Sequence, residues 1–215
     1  MGEARRKRAQ AELLAAQRGP LEDAVKKVSH ALRRLAEAAS ASLGADCYTH
    51  AELGRVLLAD QGFTFQTRVG FAAWRVGRGD GDVLSHVPNV QAYLPAGANG
   101  MGFAYHAWLE SVDWVVDVTT YQLRRKGQEL DAADGGHTSV DWCPDYLLLT
   151  RAQVSTYKKV AQAPGPGLAY YESNDDLTVR MAQSYQLDAE DVATARLILS
   201  NPDMRVLGPN MLPQD

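Results

Sequence analysis

The chain has 215 residues, 46% hydrophobic and 22% charged, with a formal net charge of −4. That length accommodates one substantial domain, and the composition is ordinary for a globular protein in water. The negative balance gives no general attraction to nucleic acid or an anionic membrane, no apolar run reaches the roughly eighteen residues of a membrane span, and the basic start lacks the apolar segment of a secretory signal.

Two cysteines, Cys47 and Cys143, make at most one disulfide. A disulfide framework is therefore excluded, and two free thiols in a reducing, cytoplasmic setting are expected. In chain order, residues 2–18 form a polar helix with an Ala/Leu stripe, and its basic run ARRKR at 4–8 reads as a solvated face. Gly19 and Pro20 are expected to break this helix, with Pro20 in the first turn of the next. Leu21, Val25, Val28, Leu32 and Leu35 recur at spacings of three and four, giving the second helix one apolar face. His30 lies off it. A third helix spans DCYTHAELGRVLLADQGF, with Asp46 as its N-cap, Gly62 as its stop, and Val56, Leu57 and Leu58 buried.

The pattern then turns to strands. TFQTRVGFAAWRV (64–76) is followed by the turn GRGDGD, and VLSHVPNVQAYLP (83–95) reads as a strand interrupted at Pro88. A loop, AGANGMG, leads to two strands near 103–110 and 114–120 and then to a polar connection. YLLLT (146–150) is a buried strand, and QAPGPG (162–167) a linker to LAYYE. The tail is helical over about 175–185 and 189–200, the second piece capped by Asp188 and stopped before Pro202. Helices, an antiparallel meander and helices again indicate an α+β fold, without a βαβ alternation or a glycine-rich phosphate loop.

The chemistry concentrates in FAYHAWLESVDWVVDVTTY (103–121). A hairpin turn centred between Ser111 and Val112 pairs Leu109 with Trp114, Trp108 with Val115 and, continuing, His106 with Asp117. Directly opposed residues share a face with Cβ atoms about 4.5–5.5 Å apart, so an imidazole and a carboxylate there are within hydrogen-bond reach. The turn lacks the Asn-Gly chemistry of a tight hairpin, and an exposed cross-strand polar pair accounts for the two residues equally well. Cys47 opens the third helix, where free N–H groups favour a thiolate and can stabilise an oxyanion. The adjacent Asp46 opposes this unless its charge is engaged in capping. Alone, a free cysteine is more simply a small buried hydrophobe. Together the three residues supply a nucleophile, a base and a group to orient it.

A cysteine opening a helix that ends in Gly plus an apolar residue, a strand H-A-W-aliphatic-acidic and a strand W-x-x-x-D-x-T make up the pattern of the transglutaminase-like branch of the papain-like cysteine fold. The chain resembles it over residues 40–121, through DCYTHAELGRVLLADQGF, HAWLE and WVVDVTT. One departure is that two residues, where three are more common, separate Trp114 from Asp117. The family's upstream second oxyanion donor has no counterpart. The resemblance implies a Cys-bearing helix packed on an antiparallel sheet over 43–172, with N-terminal helices at 1–42 and a helical extension at 173–215. It also implies Cys47 as nucleophile, His106 as general base and Asp117 as orienting acid. The expected enzyme is a cysteine amide hydrolase or acyl transferase working through an acyl-enzyme on a peptide, protein or small amide, with no cofactor or metal. The alternatives are an arylamine N-acetyltransferase-like acyltransferase and a catalytically inactive binding module. No nucleic-acid or membrane partner is expected, and a homo-oligomer is left open.

Other residues have simpler readings. His137, Asp141, Cys143 and Asp145 lie close in sequence but lack the paired spacing of a zinc site, so Cys143 is read as structural. His50, three residues after Cys47, has no evident acid. His86 is read as a surface strand residue, with a place lining the cleft as the alternative, and Trp108 and Trp114 are read as core. Specificity is expected in the loops 77–82, 96–102 and 121–141.

Overall fold

Residues 2–40, 46–86 and 105–211 are described by a computed structural model. Helix α1 runs unbroken from Gly2 to Ala39 with Pro20 inside it, so the expected break into two helices does not occur. The clash that normally drives the residue before a proline out of the helical region involves that residue's Cβ, and Gly19 has none. Residues 15–20 are exposed, so water reaches the carbonyl that the proline leaves without a donor. The apolar stripe is buried as read: Leu21, Val25, Val28 and Leu32 all lie in the core.

Helix α2 spans Cys47–Asp60 and stops at Gly62, whose φ of 87° suits glycine. Leu57 and Leu58 are buried and Val56 is half-buried. The strands that follow are β1 (Gln66–Arg75), β2 (Val83–Ser85), β3 (His106–Glu110), β4 (Trp114–Asp117), β5 (Leu147–Thr150) and β6 (Ala169–Ser173). Residues 87–95 of the expected second strand, the loop 96–102 and residues 103–104 lie outside the described residues. Between β4 and β5, helix α3 (Leu123–Asp134) replaces the expected polar connection. Its buried surface is small, with Leu123 and Gly127 buried in a mostly polar sequence, which is why no apolar stripe announces it. A short α4 (Tyr157–Gln162) precedes β6, and α5 (Asp175–Ser184) and α6 (Ala189–Ser200) close the chain. The Asp188 side chain caps α6 by accepting from Glu190 N, as the sequence indicates.

All strand pairings are antiparallel, in the order β2-β1-β3-β4-β5 with β6 also on β1. Gly70 of β1 is flanked by His106 and Ser173, and Trp74 by Leu84 and Ala169. Hence β6 covers one edge of β1, while β2 and β3 share the other end to end. The result is a curled antiparallel sheet with helices, an α+β arrangement. One face of the sheet, through Val69, Leu109, Val116 and Val118, packs on α1, α2 and α6. The other carries Ala72, Trp74, Trp108, Val115 and Tyr171. Both Trp108 and Trp114 are buried. Among the described residues no helix is long and apolar enough to cross a membrane.

The hairpin between β3 and β4 corrects the expected register. Leu109 faces Val116 and Glu110 faces Val115, two positions from the pairing argued above. The loop is residues 111–113, closed by a hydrogen bond from Ser111 N to Trp114 O (2.9 Å) and one from Trp114 N to Ser111 Oγ (3.1 Å). The serine side chain thus supplies the turn chemistry that "SV" lacks. Side chains alternate with a period of two, so a two-residue slip leaves each of them on its original face.

Candidate active site

His106 opens β3 and Asp117 closes β4, and both point to the sheet face that carries Trp74 and Trp108. The corrected register makes them diagonal neighbours, yet His106 Nε2 lies 2.8 Å from Asp117 Oδ2. Long side chains bridge the diagonal of an antiparallel pair. Burial is nearly complete, at 4% exposure for His106 and 0% for Asp117. Such burial disfavours both charges, and other contacts outweigh it. For His106, burial lowers the imidazole pKa, but the Asp117 carboxylate and its hydrogen bond, reinforced by Cys47, raise it to about 10. For Asp117, burial works upward, while His106 and Thr119 hold the carboxyl below its ordinary value.

The Asp117 carboxylate is fully engaged. Oδ1 accepts from Thr119 N at 2.9 Å and Thr119 Oγ1 at 2.8 Å. Oδ2 accepts from Tyr171 OH at 2.8 Å in addition to meeting His106. Tyr171 in turn accepts from Trp74 Nε1 at 3.0 Å, and the Trp74 ring stands edge-on to His106 with centroids 4.8 Å apart. Tyr171 and Trp74 are the supporting residues that sequence reasoning missed. Their only signal was a tyrosine in LAYYE and a tryptophan in the first strand, each more simply core, and nothing local told that β6 would pair with β1.

Cys47 is half-buried at the first turn of α2, in no disulfide, and lines one small pocket with His86, His106, Thr119 and Thr120. Cys47 and His106 line the same pocket, and the cysteine adds to the upward push that Asp117 gives the imidazole pKa. Since Nε2 is bound to Asp117, Nδ1 is the nitrogen left for it. The geometry brings together the three residues singled out in the sequence.

Asp46 stands at the N-cap of α2, as read from the sequence, but its side chain makes no capping hydrogen bond. Its carboxylate accepts from Ser40 Oγ at 2.8 Å and from Gln122 Nε2 at 3.4 Å and lies 3.3 Å from His50 Nδ1. The charge expected to oppose a thiolate is thereby engaged elsewhere. His50 does have an acid beside it, but both its ring nitrogens are occupied: Nδ1 with Asp46 O at 3.0 Å and Nε2 with Tyr121 OH at 3.3 Å. Gln122, in the Cys47 pocket, gives its amide to Tyr121 OH at 2.8 Å.

His86 takes the alternative of its two readings and lines the pocket with Cys47 and His106. Its ring stacks on His106, centroids 5.7 Å apart and 5° from parallel, and stands edge-on to Trp74. Burial first, then the positive charges of His106 and Lys126, push its pKa down to about 3. His30 is exposed. Cys143 donates to the carbonyl oxygens of Thr120 and Tyr121 at 3.4 and 3.3 Å, which pins the turn leading into α3.

No protein-family profile matches the chain, and no curated protein matches it. Among solved structures, a crystal structure of a genomics target (APC5867) is similar at 16% identity over 83% of this chain and 78% of that one, with a TM-score of 0.56. At that identity the similarity concerns the fold alone.

Proposed function

We propose that the protein is a cysteine-dependent amide hydrolase or acyl transferase of the transglutaminase-like, papain-like type. The observation that carries this reading is the buried 2.8 Å His106–Asp117 bond beside a half-buried cysteine at a helix N-terminus. Burial without a ligand-facing purpose favours replacing such a polar pair with apolar residues. Here the imidazole instead lines a pocket with a thiol.

In the proposed reaction the Cys47 sulfur, as thiolate, attacks the carbonyl carbon of an amide, and the electron pair of the C=O moves to oxygen. N–H groups of the first turn of α2 stabilise that oxyanion. The His106 imidazolium delivers its proton to the departing nitrogen as the C–N bond breaks, leaving an acyl thioester. Water or an amine then attacks the thioester, the imidazole removes the proton from this second nucleophile, and Cys47 is released. Asp117 fixes the ring orientation and supports its positive form. Hydrolysis is the preferred second step, because no separate acceptor-amine site is evident among the described residues.

Labelling by iodoacetamide at pH 6 tests the proposal. An ordinary thiol is well under about one per cent thiolate at that pH. Cys47 is expected to react at least about ten-fold faster than glutathione, and Asp117→Asn is expected to lose most of that excess. Labelling of the native protein no faster than glutathione would sink the nucleophile assignment.

A further inference from the structure

Lys126 lies on α3 one turn beyond Gln122 and Leu123, and all three line the pocket that holds Cys47 and His106. Close packing sets the position of this helix. A Cβ at Gly127 would come within 3.1 Å of Val140 and 3.8 Å of Leu84, so α3 rests directly against β2 beside His86. The lysine is near enough for its charge to act on that imidazole. Its neighbour Arg125 pairs with Glu129 at 2.9 Å on the outer side of the helix. Among the described residues Lys126 has no such carboxylate, and no Asp or Glu lines the pocket. The sequence of 87–104 contains neither Asp nor Glu. Two carboxylates border this pocket without lining it: Asp117 is taken up by His106, Tyr171 and Thr119, and Asp46 by Ser40, His50 and Gln122. The pocket shared with Cys47 therefore holds one ammonium group without a carboxylate partner among the described residues, left for an external anion.

We propose that the substrate's acyl portion carries a carboxylate, held by Lys126 next to the carbonyl that Cys47 attacks. The substrate class is then an amide or thioester of a short dicarboxylic or acidic amino acid. The acyl portion is assigned because Cys47 and Lys126 line the same pocket. A single lysine supplies a point charge, not the planar fork of an arginine, and so suits one carboxylate. This inference rests on the reading of Cys47 as nucleophile and extends it to specificity.

Two reagents of nearly the same shape separate the ideas. Iodoacetate carries the carboxylate and iodoacetamide does not; each forms a sulfur–carbon bond as iodide leaves. The quantity read is the ratio of their rate constants at Cys47, followed by mass spectrometry of the Cys47 peptide, with Cys47→Ser as blank. The native ratio is expected to exceed that of glutathione and to fall about five-fold in Lys126→Met, the effect of one charge several ångströms away in a partly screened site. Raising salt to ~0.5 M is expected to reduce the native ratio in the same direction, a reading independent of any variant's folding. Arg125→Met, which removes the same net charge from the outer face of α3, is expected to leave the ratio unaltered. A ratio that is the same in the native protein and Lys126→Met overturns the anion site, even if Cys47 labels fast. Slow labelling by both reagents, with the ratio still falling in Lys126→Met, keeps the anion site and removes the nucleophile.

Discussion

Two histidines stacked ring on ring, His86 and His106, experience opposite electrostatics, and the sign of each has a consequence for stability. The His86 pKa is depressed from its ordinary 6.5 to about 3, by burial first and by neighbouring positive charge second. The unfolded chain therefore takes up this proton first as the pH falls, and the fold loses stability progressively from about pH 6.5 downward. For His106 the pKa is raised to about 10, because Asp117 overcomes burial. Its contribution is fully present below about pH 6.5 and is lost as the pH rises through about 10. Asp117, held below its ordinary value, contributes above that value and loses its contribution on acidification. The melting temperature is thus expected to sag on both the acid and the alkaline side. In His86→Phe the decline between about pH 6.5 and 4 should be shallower than in the native protein, which thermal denaturation across that range measures. An unaltered acid limb would mean that His86 carries no such burden.

At the scale of elements, the hairpin and its neighbours decide whether those residues meet. Gly70 of β1 has a strand on each side, and a Cβ there would lie 2.0 Å from the carbonyl oxygen of Glu172 and 2.9 Å from Ser173 Cα. Both contacts are backbone atoms of β6, the strand that brings Tyr171 to Asp117. Gly70→Ala is expected to push β6 away and destabilise the fold by roughly 1–3 kcal/mol, the cost of overpacking a tight site, as urea denaturation reads. Weakening of the Tyr171–Asp117 bond should accompany it. The hairpin itself shows how much of this level the sequence discloses. Alternation places His106 and Asp117 on one face whatever the even-numbered slip, so their proximity was legible. The register was not, because it depends on how Ser111 closes a three-residue loop. Helix α1 makes the same point from the other side. Gly-Pro is a general stop signal, yet glycine before the proline and open solvent around it allow the helix to continue.

Over the whole molecule, one apolar cluster joins the sheet to helices from both ends of the chain. Leu21 and Leu32 of α1, Leu57 of α2, Leu109 of β3 and Ala195 of α6 all belong to it. Leu57 is 0% exposed there. Truncation by Leu57→Ala is expected to cost about 2–5 kcal/mol, the range for a cavity in a packed core. Since α2 carries Cys47, the expected loss is cooperative, with helix and site signals disappearing in a single denaturation transition; separate transitions would contradict a shared core.

From local patterns alone the sequence determined which residue types have chemistry to offer and on which faces they stand. Period-three-and-four spacing marked the buried side of α1, strand alternation put His106 and Asp117 on one side, and a cysteine after a break marked a helix start. Such features depend on neighbours a few residues apart. Tertiary structure alone decided what surrounds them. The pairing of β6 with β1 brings Tyr171 from more than fifty positions away, and the packing of α3 on β2 sets Lys126 beside His86. The Asp46 carboxylate turns from a cap into a partner for His50. Contacts of that kind are selected by global burial and hydrogen-bond satisfaction, to which no short stretch of chain has access.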